Sequence, residues 1–310
     1  MKIIRGIHNI QDISFHSVIT IGKFDGIHLG HQKLFLKTYK ISAQYKLLSI
    51  VILFEPQPLE FFKKNNSPIR ITKFREKVKW ISSYNIDKIL CIRFNQSFKS
   101  VKPQDFITNI LINKLHMKFI VIGNDFRFGF NRNGNIELLK KLGDKYKFSI
   151  IKIRSLYKKS MKISSTNIRK ALSKNNIKLA NNFLGRQFSI SGKVIHGDKL
   201  ARTINYPTAN IRLDQKFLLN HGVYAVKIKC SINKNFLGIS NIGVKPTFMK
   251  NTVTLLEVHL FNTNIDLYGK YIEVFIYKKI RDEQLFSSKE ELKNQIFQDI
   301  IKVKKYFKIS

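Results

Sequence analysis

Along the first half of the chain, short apolar runs alternate with stretches whose apolar residues recur at helical spacing. Residues 17–22 (SVITIG), 47–54 (LLSIVILF), 88–94 (KILCIRF), 118–123 (KFIVIG) and 148–153 (FSIIKI) read as buried strands. Helical patterns occupy 31–45, 72–84, 103–115 and 135–146 between them. Near-continuous apolar strands separated by amphipathic helices predict a parallel sheet covered on both faces, a doubly wound α/β fold. Sheets of this kind take their ligands beyond the carboxyl ends of the strands.

From about residue 187 the pattern changes. Val194 and residues 210–213, 223–230, 236–241, 252–261 and 271–277 form short strands punctuated by Gly, Asn, Asp or Pro. That spacing predicts an antiparallel barrel or sandwich. Residues 289–307 then place Leu292, Ile296, Ile300 and Val303 on one stripe, a closing amphipathic helix. Two short helices, 166–173 and 177–184, join the halves, so the expected domains are 1–185 and 186–310.

Composition agrees with two ordinary domains: 310 residues, 44% hydrophobic and 12% aromatic, which excludes wholesale disorder. The formal charge of +36 is extreme, yet only 12 of the 56 basic residues are Arg, and the lysines are scattered through every segment. Dedicated nucleic-acid surfaces recruit Arg for bidentate contacts, whereas Lys, Ile, Asn and Phe are all encoded by A/T-rich codons. Compositional drift is therefore the expected origin of the charge, with no specific nucleic-acid partner; phosphorylated small molecules still benefit from the positive field. Cys91 and Cys230 lack CxxC spacing, which argues against a disulfide framework or a structural zinc. No apolar run is long enough to span a bilayer, and the first residues lack the apolar core of a signal peptide. A soluble, cytoplasmic chain is expected, with no membrane and no obligate protein partner.

The strongest local signal is Gly22-Lys23-Phe24-Asp25-Gly26-Ile27-His28-Leu29-Gly30-His31, where a strand ends and a helix begins. A glycine-rich turn there lets backbone N–H groups approach phosphates, and the helix N-terminus adds partial positive charge. Two histidines three residues apart can both donate to a pentavalent phosphate. After the fifth strand, Ser164-Ser165-Thr166-Asn167-Ile168-Arg169 offers hydroxyls and a guanidinium, with Ser165 or Thr166 placed as a helix cap. In the second half, Pro207-Thr208-Ala209-Asn210 leads into a strand, and period-two alternation puts Glu257 and His259 on one face and Leu256 and Val258 on the other.

HxGH followed by SSTxIR resembles the nucleotidylyltransferase superfamily. The ordered motifs between and after them, including Phe54-Glu55-Pro56-Gln57-Pro58, Gly123-Asn124-Asp125-Phe126-Arg127-Phe128-Gly129, Leu184-Gly185-Arg186 and Leu267-Tyr268-Gly269, extend the resemblance to bacterial bifunctional riboflavin kinase/FAD synthetases over nearly the whole chain. The resemblance implies a Rossmann-like FMN adenylyltransferase domain followed by a riboflavin kinase β-barrel with a C-terminal helix. It implies ATP, riboflavin and FMN as small-molecule partners, Mg²⁺ bound with ATP, and FMN and FAD as products. By the same resemblance His28, His31 and Arg169 act in adenylyl transfer, and Glu257 is the base for the riboflavin 5′-hydroxyl. Gly22, Phe24, Gly30, Ser165 and Thr166 would bind ATP in the first domain. In the second domain Gly197, Lys199, Thr208 and Asn210 would bind ATP, with Thr208 and Asn210 also holding the metal. Asp125, Phe126, Phe128 and Arg281 would contact flavin. The chain departs from the family pattern at Lys23 (usually Asn), Gln57 (His), Asn135 (Asp) and Gln187 (Pro), and at Ala201 and Asn205, which replace flap glycines.

Overall fold

The computed structural model describes residues 1–10, 15–196, 206–213, 217–230, 235–246, 252–263 and 265–309. Contacts divide the chain into two compact units, Met1–Ser165 and Thr166–Ser310.

In the first unit, six strands form one sheet: β1 (Lys2–Arg5), β2 (Ser17–Ile21), β3 (Leu48–Glu55), β4 (Lys88–Arg93), β5 (Met117–Gly123) and β6 (Ser149–Ile153). All neighbours run parallel, in the order β1-β4-β3-β2-β5-β6. Five of these strands follow the apolar runs; β1, a short edge strand, carries no such run and was not expected. Alternation along the strands divides their side chains between two cores. Ile19, Ile21, Ile50, Ile52, Ile120 and Ile122 face the π-helical segment Phe106–Ile112 and helix α4 (Ile136–Tyr146), whose Leu139 and Leu142 join them. Val18, Val51, Leu53 and Val121 face α1 (Leu29–Tyr45) and α3 (Phe74–Ser82) through Phe35, Ile41 and Ile81. A strand buried on both faces is what a covered parallel sheet requires. Short helix α2 (Pro58–Lys63) follows the cis Glu55–Pro56 bond, and a small hairpin, β7 (Tyr157–Lys158) with β8 (Met161–Lys162), comes near the end of this unit; α5 (Ser165–Ser173) starts on its last residue and belongs otherwise to the second.

The chain leaves β2 toward β3 on one side, and β5 returns on the other. The switch point therefore lies between the carboxyl ends of β2 and β5. Gly22 follows the first of these ends, and Gly123-Asn124-Asp125 the second.

In the second unit α6 (Ile177–Leu184) precedes a closed barrel in the order β10-β13-β12-β11-β14-β9. Its strands are β9 (Ser189–Ile195), β10 (Ala209–Arg212), β11 (Gly222–Lys229), β12 (Asn235–Pro246), β13 (Thr252–Leu260) and β14 (Tyr271–Arg281), all antiparallel to their neighbours. Of barrel and sandwich, the structure is a barrel. Helix α7 (Lys289–Phe307) lies over one face, where Val303, Ile300 and Phe307 pack on Val223, Ala225 and Ile239. Ser288 caps it by accepting from the Glu291 N–H at 3.1 Å.

Candidate active sites

The segment from Gly22 to His31 turns through an unusual backbone. Phe24 (φ 45°), Gly26 (φ 85°) and Ile27 (φ 43°) all have positive φ. For a β-branched residue such as Ile27 this is a genuine outlier, costing on the order of 1–3 kcal/mol, and strain of this kind concentrates at functional sites. His28 occupies the N-cap position of α1, and its ring stacks on that of His31 with centroids 3.6 Å apart. A Cβ at Gly30 would sit 3.1 Å from the His28 ring, so glycine there leaves room for the stacked pair. Phe24 is 2% exposed and holds the turn from within, edge-on to His31 and Phe35. Its ring is a core element rather than part of an open surface. The imidazole pair thus stands at the positive end of the 17-residue α1, beyond the carboxyl end of β2.

The turn is fastened from behind. The Asp25 carboxylate, 2% exposed, accepts from the N–H groups of Ile71 (3.0 Å) and Thr72 (3.1 Å). The Thr72 hydroxyl donates to Asp25 at 3.3 Å and accepts from the Gly26 N–H at 3.0 Å. Lys77, 1% exposed, donates from Nζ to the Lys23 carbonyl at 2.9 Å. Burial pushes the Lys77 ammonium below the ordinary lysine range, while the Asp25 charge pulls the other way. Ser165 donates to the Asp25 carbonyl at 2.8 Å, joining the second motif to the first. Ser165 and Thr166 both lie inside α5, so the cap position falls on Ser164 rather than on either of them.

Beyond β5, Asp125 is exposed and ion-paired to Lys162, and Phe126 stacks on Phe128 with centroids 5.4 Å apart. A cavity of about 520 Å³ opens beside them, lined by Asn124, Lys152, Arg154, Ser155 and Tyr157. The basic pair Lys152 and Arg154 was not singled out in the sequence, where nothing separates them from the many other cations. Arg70 bridges Glu55 and Glu60, and the Gln57 side chain, 6% exposed, buries an amide nitrogen with no hydrogen-bond partner. Burial alone would push Glu60 up, but hydrogen bonds from Arg70 and the Gln57 N–H outweigh it and hold the carboxyl below its usual range.

In the barrel, directly paired residues form one transverse row across five strands. Asn210 on β10 pairs with Glu257 on β13, Glu257 with Asn241 on β12, Asn241 with Val223 on β11, and Val223 with Arg281 on β14. Residues paired in this way share a face. Asn210, Glu257 and Arg281 are each site residues expected from sequence; Asn241 belongs there to a motif, Asn241-Ile242-Gly243, with no role attached, because register is invisible in sequence. Asn210 is 5% exposed and its Oδ1 has no hydrogen-bond partner. The orphaned buried carbonyl oxygen of Asn210, with the hydroxyl of the half-buried residue Thr208 two positions earlier in the chain, offers the hard oxygen ligands that a divalent cation such as Mg²⁺ takes. Glu257 is half-buried, between the buried Leu256 and Val258, as the alternation predicted. Arg281 donates from Nε to Asp299 of α7 at 2.7 Å and lies over the Phe286 ring. Gly197, Lys199, Ala201 and Asn205 lie outside the described residues. The flanks of that segment are anchored: His196 stacks on Tyr268, and His259 Nδ1 meets the Pro207 carbonyl at 2.9 Å.

Comparison with known proteins decides the family. The FAD synthetase family matches residues 10–167 and the riboflavin kinase family residues 184–307. A bifunctional riboflavin kinase/FMN adenylyltransferase of Buchnera aphidicola subsp. Acyrthosiphon pisum is 71% identical, over 100% of this chain and 99% of that protein. The Escherichia coli K12 protein of the same description is 42% identical over 99% and 98%. The chain belongs to the bifunctional riboflavin kinase/FMN adenylyltransferase family. Among solved structures, a Streptococcus pneumoniae protein described as a macrolide-efflux protein superposes with a TM-score of 0.82 at 30% identity, covering 96% of this chain and 97% of that one. Among the described residues, no helix is long and apolar enough to cross a membrane.

Two departures from the riboflavin kinase/FMN adenylyltransferase pattern have a structural account. Asn135 caps α4 by accepting from the Leu138 N–H at 2.9 Å, as an Asp would. Gln187 accepts from Asn181 at 2.9 Å and donates to the Ile276 carbonyl, tying α6 to the barrel.

Proposed function

We propose that the two reactions of this enzyme run at the two sites described, each with its own ATP. The chain phosphorylates riboflavin with ATP to FMN, then transfers AMP from a second ATP to FMN, giving FAD and pyrophosphate.

In the barrel, the Glu257 carboxylate accepts the proton of the riboflavin 5′-hydroxyl as its oxygen attacks the γ-phosphorus and ADP leaves. Thr208 and Asn210 would hold Mg²⁺, which supplies charge neutralisation for the transferring phosphoryl group. Gly197 and Lys199 belong to the nucleotide flap in this reading, and Arg281, oriented by Asp299, contacts the flavin. The transverse row that sets Asn210 opposite Glu257 is the observation that carries it.

In the first domain, an FMN phosphate oxygen attacks the α-phosphorus of ATP and pyrophosphate departs. The attacking oxygen is already anionic, so no base is required, and catalysis rests on positioning and charge stabilisation. The imidazoles of His28 and His31 and the backbone of Gly22, Phe24 and Gly30 receive the ATP phosphates, aided by Ser165, Thr166 and Arg169. Asp125, Phe126 and Phe128 meet the flavin nucleotide. Residues 1–185 and 186–310 serve as the functional domains of a cytoplasmic enzyme whose partners are its small-molecule substrates.

The test is direct. Purified protein with riboflavin, ATP and Mg²⁺ is followed by chromatography, with FMN and FAD quantified separately. FMN should rise first and FAD follow; failure to form FAD from supplied FMN would remove the first-domain assignment.

A further inference from the structure

The turn that precedes α1 is held by a segment far away in sequence, and the fastening is more elaborate than core packing requires. Three of the four residues 24–27 have positive φ, including a β-branched one, and a backbone so placed relaxes unless its surroundings over-determine it. Behind it, Asp25, Thr72 and Lys77 make hydrogen bonds that span 46 to 54 residues of chain. All three side chains are nearly inaccessible, at 2%, 5% and 1% exposure. A phosphate-binding turn must aim its N–H groups at the ligand, which obliges carbonyl oxygens to point away into the protein. The Lys23 carbonyl does so, and there it accepts a hydrogen bond from the Lys77 ammonium. Burying an ammonium is expensive, and a neutral apolar residue on α3 would fill the same space more cheaply.

We propose that Lys77 and Thr72 are positioning residues for adenylyl transfer: from outside the substrate site, they hold the 22–28 turn in the strained geometry that presents its backbone and the stacked His28–His31 pair to the ATP phosphates. Lys77 acts on the Lys23 carbonyl. Thr72 acts on the Gly26 N–H while anchoring Asp25, whose own carbonyl receives Ser165. The inference rests on the reading of residues 22–31 as the phosphate turn.

The experiment uses the full chain with FMN, ATP and Mg²⁺, comparing wild type, Lys77→Met, Thr72→Val and His31→Ala. A displacement of about 1 Å near reacting atoms can cost ~10²-fold in rate. Lys77→Met should therefore lower kcat for FMN adenylylation by about 10²-fold, with the KM for FMN within about threefold of wild type. Lys77→Gln, which restores a shorter donor, should recover part of that loss. A merely structural lysine predicts otherwise: kcat per folded molecule unchanged, with only the melting temperature lowered. That result overturns the proposal. Should Lys77→Met fail to fold, Thr72→Val, which has the same shape and removes only the hydroxyl, decides the matter: a selective fall in kcat supports the proposal and an unchanged kcat overturns it. His31→Ala separates the two levels. If it leaves adenylylation intact, the phosphate-turn reading itself fails; if it abolishes the reaction while Lys77→Met and Thr72→Val do not, only the positioning role fails.

Discussion

Asn210 and Glu257 stand directly opposite one another on β10 and β13, so an orphaned amide oxygen and a carboxylate project from the same face of the barrel. The pairing places a donor for a hard cation beside a group able to take a proton, the two requirements of phosphoryl transfer to an alcohol. Neither residue alone says as much. An Asn entering a strand and a Glu on an alternating strand are common, and their juxtaposition comes only from register.

Glu257→Gln keeps shape and some hydrogen bonding but cannot accept the riboflavin proton. General-base catalysis contributes about 10²–10⁴-fold, so FMN formation should fall by that order at saturating ATP and Mg²⁺. FAD formation from supplied FMN should be unaffected. Near-wild-type FMN formation would send the base assignment to another carboxylate, with Asp266 the next candidate.

His31→Ala should do the reverse, lowering adenylylation by ~10²-fold or more while riboflavin phosphorylation survives. Steady-state assays on the two half-reactions check it, and equal loss of both would contradict separate sites.

Asp299 is 1% exposed and receives Arg281 Nε, so it anchors α7 to the end of β14. Breaking a buried ion pair costs about 3–5 kcal/mol, and Asp299→Asn should fall at the low end because its amide oxygen still accepts. Hydrogen exchange should show the slowest α7 amides losing roughly 10²-fold in protection.

The first domain should weaken in acid partly through Glu60. Its carboxyl is held low in the folded state, so the stabilisation is fully present above the unfolded value of about 4.3 and is lost as pH falls through the folded one. The fluorescence of Trp80, the single tryptophan, reports this domain. Stability should fall less steeply with acid in Glu60→Gln.

The charge of +36 should give only weak polyanion binding, with dissociation constants on the order of 10⁻⁴ to 10⁻⁶ M at physiological salt and steep loss on raising it. A nanomolar, sequence-selective complex would argue for a dedicated nucleic-acid surface.

Much of the architecture was legible because it is written in apolar periodicity. The strand β3 and the helix α7 leave runs and stripes that survive inspection one segment at a time. Strand β1 did not, because four residues at a sheet edge, with one buried side chain, make no pattern. The site divides along the same line. His28, His31 and Asn210 belong to contiguous motifs and could be named. Lys77 and Thr72 could not be assigned a role, since what they touch lies some fifty residues away. Asp299 is one more carboxylate on an amphipathic helix until the fold brings Arg281 to it.

The barrel is closed, but its closure is uneven. Strand β10 has four residues and meets β9 through only two residue pairs, Asn210 with Ile195 and Ile211 with Val194, whereas β11 and β12 share eight. The seam therefore runs along the strand that carries Asn210. Breathing there disturbs few ladder bonds, fewer than at any other described strand pairing of the barrel, so local opening costs least at this seam. A nucleotide seated on Asn210 would act as a clasp, and its arrival should slow amide exchange first in β10 and the end of β9, before the rest of the barrel registers it.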